Sequence, residues 1–298
     1  MRDRSITGVR RPETAFVFPA GGSAGSAQVG IAGALLERGI VPDLVVGCSV
    51  GALNAAFLAM DPTSAGYRRL ARVWTRLRAD DVFGRGRCRT MANVVLRRSH
   101  IYDPLPLRTL IETFCPMRDL ADAPVAVQVV TTDLDLGLAR WWGRGPAVEI
   151  LSASAGLPGL LPPVILEGRR HVDGGVLDPI PVRRAVDLDA AVVYLLGEPG
   201  GPADDAPAEM TALDVLIRSF AISRYAPLPD PVSMARAGQR VVVVPGAPTH
   251  GLDLTDFSRS IELIEESYAV AGTFLDDSDS GDASVDLSER TVRPASAA

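Results

Sequence analysis

Short apolar runs alternate with longer amphipathic stretches along most of this chain. The apolar runs fall at residues 15–18, 43–46, 125–130, 190–196 and 240–244, with a less regular one at 136–142. Stretches with helical periodicity fall at residues 27–38, 50–60, 62–78, 104–114 and 255–274. This order is typical of a mostly parallel sheet covered by helices. We therefore predict an α/β protein with three layers, in which the sheet lies between helices.

The composition indicates the size and number of domains. The chain has 298 residues, of which 47% are hydrophobic, so a single core can form without support from disulfides or metal ions. We predict one domain over residues 14–275, a polar segment over 1–13 and a disordered tail rich in Asp and Ser over 276–298. The three cysteines have no C-x-x-C spacing, which argues against a disulfide framework or a zinc site.

Charge and hydropathy narrow the set of partners. The formal net charge is −6, whereas binding to nucleic acid requires clustered positive charge. The polar N-terminus is not followed by the apolar h-region of a secretory signal, and no window reaches the roughly 18 apolar residues of a membrane span. We expect a cytoplasmic protein that binds no nucleic acid, cofactor or metal ion.

Two segments match G-x-S-x-G, a pattern that exposes a nucleophilic serine on a tight strand-to-helix turn in many hydrolases. The match at residues 47–51 has Ser49 at its centre and lies between an apolar run and a helical stretch. Its glycines, Gly47 and Gly51, leave room for a strained backbone and for substrate. We interpret Ser49 as the nucleophile; the alternative is a serine that only caps an ordinary helix.

The other match, at residues 21–25, surrounds Ser23. It is richer in glycine before the serine, in the run Ala20-Gly21-Gly22. Successive backbone N–H groups in such a loop can point at one anion, which suits an oxyanion hole better than a nucleophile. A loop that binds a nucleotide phosphate is the competing interpretation, but the segment lacks the G-K-[ST] ending of a P-loop.

A serine nucleophile needs a base, and the chain offers two kinds. Of its histidines, His100, His171 and His250, only His171 stands close in sequence to a suitable carboxylate, that of Asp173. Asp173 itself precedes Gly174-Gly175, a turn from which a carboxylate can contact the serine directly. A carboxylate is a weak base at its ordinary pKa, so such a pair requires partial burial.

Together these motifs resemble those of the patatin-like phospholipases. The resemblance rests on the glycine loop at residues 19–25, the serine elbow at 47–54 and Asp173-Gly174-Gly175, in that order. It extends to the segments 152–158 and 176–181, and it covers roughly residues 15–196. It implies a central, mostly parallel sheet and a catalytic dyad of serine and aspartate without histidine.

The resemblance also implies a role for each motif residue in the hydrolysis of a lipid acyl ester. Ser49 attacks the acyl carbonyl, Asp173 accepts its proton, and water then hydrolyses the acyl-enzyme. The backbone N–H groups that hold the oxyanion are those of Gly21, Gly22 and Val50. The glycines that shape the loop, the elbow and the aspartate turn are Gly25, Gly47, Gly51, Gly174 and Gly175.

The glycine loop departs from the family pattern, since Ala20 replaces its first glycine and no basic residue stands near Ala24. Two alternative functions stay open, and the altered loop supports only the second of them. One is an acyltransferase with a histidine base such as His171, and the other is a non-catalytic lipid-binding protein on the same scaffold. For the enzyme we expect a lipid or acyl-ester substrate and transient contact with a membrane surface, and the oligomeric state stays open.

Two apolar segments are candidates for the wall of a cleft that binds an acyl chain. One is residues 157–166, which precede Asp173. The other is residues 104–114, with apolar side chains at Leu105, Leu107, Leu110, Ile111 and Phe114. The alternative is that these side chains form the buried face of a short helix.

Overall fold

The computed structural model describes residues 11–84, 99–197, 229–249, 252–253 and 255–279, together with isolated positions between 210 and 222. Predictions for residues 1–10, for Cys88 and His250, and for the tail after Asp279 lie outside the described residues. Among the described residues, no helix has both the length and the hydropathy needed to cross a bilayer.

Eight strands in the described part of the chain form one sheet, in the order β5-β6-β3-β2-β1-β7-β8 with β4 also paired to β3. The parallel strands are β1 (Thr14–Phe18), β2 (Leu44–Cys48), β3 (Ala126–Asp133), β7 (Val192–Leu196) and β8 (Arg240–Val244). The strands with antiparallel pairings alone are β4 (Leu138–Trp142), β5 (Val164–Leu166) and β6 (Arg169–Asp173), and two of them, β4 and β6, pair with β3. The central strands are continuous apolar runs because both faces of the sheet are covered.

Helices cover the sheet on both faces, so the predicted three-layer α/β fold is confirmed. The helices are α1 (Gly25–Glu37), α2 (Val50–Met60), α3 (Ser64–Trp74), α4 (Ala79–Phe83), α5 (Leu105–Phe114), α6 (Ala147–Ser154), α7 (Val182–Asp187) and α8 (Ser260–Asp279). The larger core lies on the face covered by α1, α2 and α6, whereas α7 packs against the other face.

Some elements differ from the sequence predictions. The hairpin of β5 and β6 was not predicted, because β6 contains two arginines and a histidine and lacks an apolar alternation. Helix α6 was not predicted either, and it ends before Pro158, Pro162 and Pro163, which interrupt the apolar residues that follow it. Helix α8 continues past residue 275 to Asp279.

The register on β3 brings distant residues together. Strand β4 pairs with residues 129–133, while β2 pairs with residues 126–130 and β6 with 131–133. Because a strand has only two edges and β4 occupies one, β2 and β6 lie end to end on the other. Cys48 pairs with Val130 and Asp173 with Thr131, so the carboxyl ends of β2 and β6 meet.

Candidate active site

Ser49 occupies a sharp turn between β2 and α2. Its φ of 57° and ψ of −129° place a non-glycine residue in a strained region of the backbone map. The turn requires glycine on both sides. A Cβ atom at Gly51 would lie 2.3 Å from the carbonyl oxygen of Phe18, and one at Gly47 would lie 2.5 Å from the Cα of Ala52. The elbow predicted from the sequence therefore has the strained geometry that exposes a serine at a helix N-terminus.

Asp173 lies directly against Ser49. The Ser49 hydroxyl donates a hydrogen bond of 2.6 Å to Asp173 Oδ2. The other carboxylate oxygen, Oδ1, accepts a hydrogen bond of 2.7 Å from the backbone N–H of Gly175. Asp173 is completely buried and Ser49 is 7% exposed. One carboxylate oxygen is thus fixed by the glycine turn while the other faces the serine, as expected for a pair that works without histidine.

His171 takes part in a different contact. Its Nδ1 lies 2.9 Å from Thr131 Oγ1, which also accepts a hydrogen bond from the indole N–H of Trp142. Burial lowers the pKa of His171, which favours its neutral form. His100 lies 3.4 Å from its neighbour Ser99. Neither of these two histidines is hydrogen-bonded to Ser49.

The glycine loop follows β1 and forms a single 3₁₀ turn over Gly22–Ala24. Among the described residues, the backbone N–H groups of Gly21, Gly22 and Val50 have no acceptor. Gly22 and Val50 line the same cleft as Ser49, whereas Gly21 is not among the lining residues. The N–H of Ala20 donates to the carbonyl of Pro179 at 2.8 Å, so Ala20 is not an available donor.

Ser23, the serine of the second G-x-S-x-G match, is buried away from this pair. Its hydroxyl donates a hydrogen bond of 2.7 Å to the carbonyl oxygen of Asp253. Ser23 therefore attaches the glycine loop to the C-terminal part of the domain. This contact adds a structural difference between the two matches to the glycine run that already distinguishes them in the sequence.

An apolar cleft of about 840 Å³, including its open mouth, begins beside Ser49. Its lining includes Phe57, Leu70, Val73, Trp74, Leu107, Leu110, Ile111, Phe114, Leu157 and Phe257. The prediction of an acyl-chain wall at residues 104–114 thus matches the placement of four of its five side chains. Leu105 is the exception, since it is 60% exposed and is not among the lining residues. Of the second candidate segment, 157–166, only Leu157 lines the cleft.

The lining carries almost no charge. Cys115 is buried in the cleft wall, and burial raises the pKa of its thiol to about 12, so the thiol stays protonated.

Asp178 follows the aspartate turn at residues 173–175 and is half-buried. Burial raises the pKa of its carboxyl group to about 6, although the charge of Arg183 lowers it. The N–H of Asp178 donates to the carbonyl of Gly174, which holds this residue close to the Asp173 turn.

Ser154 is a site residue for which we predicted no role from the sequence. Its hydroxyl accepts a hydrogen bond of 3.1 Å from the backbone N–H of Ser49 and donates one of 2.7 Å to the carbonyl of Val130. Ser154 is completely buried at the end of α6. The only sequence signal was its position in the segment 152–158 that resembles the family.

Comparison with known proteins shows the family to which the chain is similar. The family model "Patatin-like phospholipase" matches residues 16–186, more than half of the 298-residue chain. An uncharacterised NTE-family protein of Mycobacterium tuberculosis is 30% identical over 223 residues, which are 72% of this chain and 58% of that protein. The patatin-like phospholipase domain-containing protein 7 of Rattus norvegicus is 28% identical over 184 residues, or 61% of this chain and 13% of that protein.

Two further proteins are similar over most of the chain. Lysophospholipase NTE1 of Coccidioides immitis is 26% identical over 301 aligned positions, covering 88% of this chain and 17% of that protein. Among solved structures, VipD from Legionella pneumophila has a TM-score of 0.44 and 14% identity, covering 90% of this chain and 67% of that chain. The chain spans well under two thirds of the length of each curated relative named here. On the match of the family model, this chain belongs to the patatin-like phospholipase family.

Proposed function

We propose that this chain is a lipid acyl hydrolase that cleaves carboxylic esters through an acyl-enzyme. Ser49 is the nucleophile and Asp173 is its base. The observation that carries the proposal is the 2.6 Å hydrogen bond between Ser49 Oγ and Asp173 Oδ2 at the end of an apolar cleft. Membership of the patatin-like phospholipase family supports the class of substrate.

The first half of the reaction forms the acyl-enzyme. Ser49 Oγ attacks the ester carbonyl carbon while Asp173 Oδ2 accepts the hydroxyl proton. The negative charge that develops on the carbonyl oxygen is held by the free N–H groups of Gly22 and Val50, with Gly21 as a further donor, and by the N-terminus of α2. The tetrahedral intermediate then expels the alcohol, which takes the proton from Asp173.

The second half of the reaction regenerates the enzyme. Asp173 accepts a proton from a water molecule, and the resulting hydroxide attacks the acyl carbonyl carbon. The second tetrahedral intermediate uses the same backbone donors. It collapses with release of the fatty acid and return of the proton to Ser49 Oγ. No histidine is needed in either half, since the same carboxylate oxygen takes and returns each proton.

The apolar cleft is the site of the acyl chain in this proposal. Each buried methylene group contributes about 0.8 kcal/mol to binding, so an apolar cleft beside the nucleophile favours a long acyl chain over a short one. Asn54 is a polar residue in the lining, but its side-chain amide is fully engaged by protein partners. The enzyme would meet such substrates by transient contact with a lipid surface in the cytoplasm.

The two alternative functions receive less support. An acyltransferase that depends on His171 is disfavoured because this side chain is bonded to Thr131 rather than to Ser49. A non-catalytic lipid-binding protein is disfavoured because Ser49 and Asp173 keep a reactive geometry and Gly22 and Val50 keep free donors despite the presence of Ala20.

Release of fatty acid from a micellar lysophosphatidylcholine tests the proposal. We expect the purified chain to release fatty acid and the Ser49→Ala variant to lose at least about 10³-fold in kcat, because no nucleophile remains. Ser152→Ala is a matched control, since it removes a buried hydroxyl that has no hydrogen-bond partner among the described residues. Equal turnover by wild type and Ser49→Ala, or binding of the lipid without any release, would refute the proposal.

A further inference from the structure

Three buried polar side chains form a continuous hydrogen-bonded network next to the cleft. The indole N–H of Trp74 donates to Asn54 Oδ1 at 2.9 Å. The Asn54 amide nitrogen donates to the carbonyl of Gly25 at 2.9 Å and to Gln28 Oε1 at 3.0 Å. The Gln28 amide nitrogen in turn donates to the carbonyl of Pro19 at 2.7 Å. All three side-chain groups thus have partners, as a dry interior requires.

The two carbonyl groups at the end of this network mark the two ends of the glycine loop. Pro19 begins the loop and Gly25 ends it, and Gly21 and Gly22 lie between them with free N–H groups. Fixing both ends of a short loop restricts where its middle can point. The network therefore controls the position of the donors that the proposed mechanism uses on the oxyanion.

Trp74 connects this network to the cleft. A Cβ atom at Gly25 would lie 2.8 Å from the Trp74 ring, so the indole packs directly on the backbone of the loop. The Trp74 ring also lines the cleft. Its centroid lies 5.9 Å from that of Phe257, which comes from the C-terminal part of the chain. An acyl chain in the cleft would therefore contact the same side chain that donates to Asn54.

We infer that Trp74 and Asn54 are positioning residues that link occupancy of the acyl cleft to the geometry of the glycine loop. The inference rests on the proposed function and extends it, because it assigns part of the acyl-chain binding energy to kcat. An acyl chain packed against Trp74 holds the indole on Gly25 and the amide of Asn54 on the loop. Binding energy from a remote part of the substrate then improves stabilisation of the transition state rather than binding alone.

The link between the acyl cleft and the glycine loop can be tested with p-nitrophenyl esters of increasing chain length, from acetate through octanoate to laurate. Each ester is used below its micellar concentration. In the wild type, we expect kcat to rise and KM to fall with chain length. In Trp74→Phe, which keeps an aromatic ring in the cleft but lacks the N–H, KM should still fall. The kcat for laurate should drop by about three- to tenfold, the usual effect of losing one neutral hydrogen bond, while kcat for acetate changes little.

Trp142→Phe is the matched control. It also removes a buried indole N–H, which donates to the Thr131 hydroxyl, but Trp142 is not among the residues that line the cleft. It should keep the wild-type rise of kcat with chain length. If Trp74→Phe does not fold, as judged by circular dichroism, Gln28→Met can replace it. This variant removes the hydrogen bond to the Pro19 carbonyl and should reduce the rise of kcat with chain length in the same way.

Two results would overturn the inference: a wild-type kcat that does not depend on chain length, or a Trp74→Phe enzyme that retains the full rise. Both differ from failure of the proposed function, in which the wild type hydrolyses none of the esters.

Discussion

At the scale of single residues, the sequence predicted the two side chains that meet but not the group that holds them. Ser49 and Asp173 each lie in a short motif with its own glycines, so both could be identified locally. The role of Ser154 depends on the N–H of Ser49, in the turn after β2, and on the carbonyl of Val130, in β3. No local pattern encodes such a contact, since the register of the strands creates it.

Ser154→Ala should impair the enzyme by releasing the strained elbow. The substitution leaves the Ser49 N–H and the Val130 carbonyl without their buried partner, at a cost of about 1–3 kcal/mol in the free energy of unfolding. We expect kcat to fall about tenfold with KM nearly unchanged, because the nucleophile loses alignment while the cleft keeps its lining.

Ser152→Ala controls for the loss of a hydroxyl from the same helix, two residues away. Its hydroxyl is buried without a partner among the described residues, so we expect stability to stay the same or to rise. Steady-state kinetics and urea unfolding of both variants check this prediction. Equal effects of the two substitutions would show that Ser154 does not hold the elbow.

At the scale of elements, the periodicity of apolar residues predicted the parallel strands but not the hairpin that carries Asp173. Strand β6 reads Arg-Arg-His-Val-Asp, which has neither alternation nor high strand propensity. Its pairing with β3 and its ion pairs define it instead. Arg169 Nε lies 3.1 Å from Asp133 Oδ2, although without the alignment of a hydrogen bond, and Arg170 pairs with Asp135.

The two arginines of β6 should contribute unequally to stability. Arg169→Met removes the cation beside a completely buried carboxylate, so we expect the free energy of unfolding to fall by about 1–3 kcal/mol. Arg170→Met breaks a pair exposed to solvent and should cost less than about 1 kcal/mol. Urea unfolding of both variants measures the difference. A larger loss for Arg170→Met would mean that the pair of Arg169 and Asp133 does not anchor this hairpin.

At the scale of the whole molecule, the C-terminal helix completes a site whose motifs all lie before it. Helix α8 lies outside the residues matched by the family model, yet it packs along α1. The segment just before α8 supplies Phe257 to the cleft and the Asp253 carbonyl to Ser23. The sequence predicted this helix from its periodicity, but its partner could not be predicted because the contact depends on close approach of two backbones.

Gly30→Ala should loosen this packing. A Cβ atom at Gly30 would lie 2.2 Å from the carbonyl oxygen of Ile264, so α8 must move and stability should fall by about 1–3 kcal/mol. Gly272→Ala lies in the same interface, but its Cβ would meet only the guanidinium group of Arg38, at 3.1 Å, rather than backbone, so it should cost less stability than Gly30→Ala. Thermal unfolding compares the two. Equal stability of the two variants would contradict close packing at Gly30.

We claim that Ser49 and Asp173 act as one catalytic pair, and covalent labelling is the sharpest test of this pairing. The wild type and Asp173→Asn would each react with a fluorophosphonate, followed by peptide mapping by mass spectrometry. We predict modification of Ser49 in the wild type and a rate about 10²–10⁴-fold lower in Asp173→Asn, the usual contribution of a general base. Modification at Ser23, no modification in folded protein, or an unchanged rate in Asp173→Asn would contradict the claim.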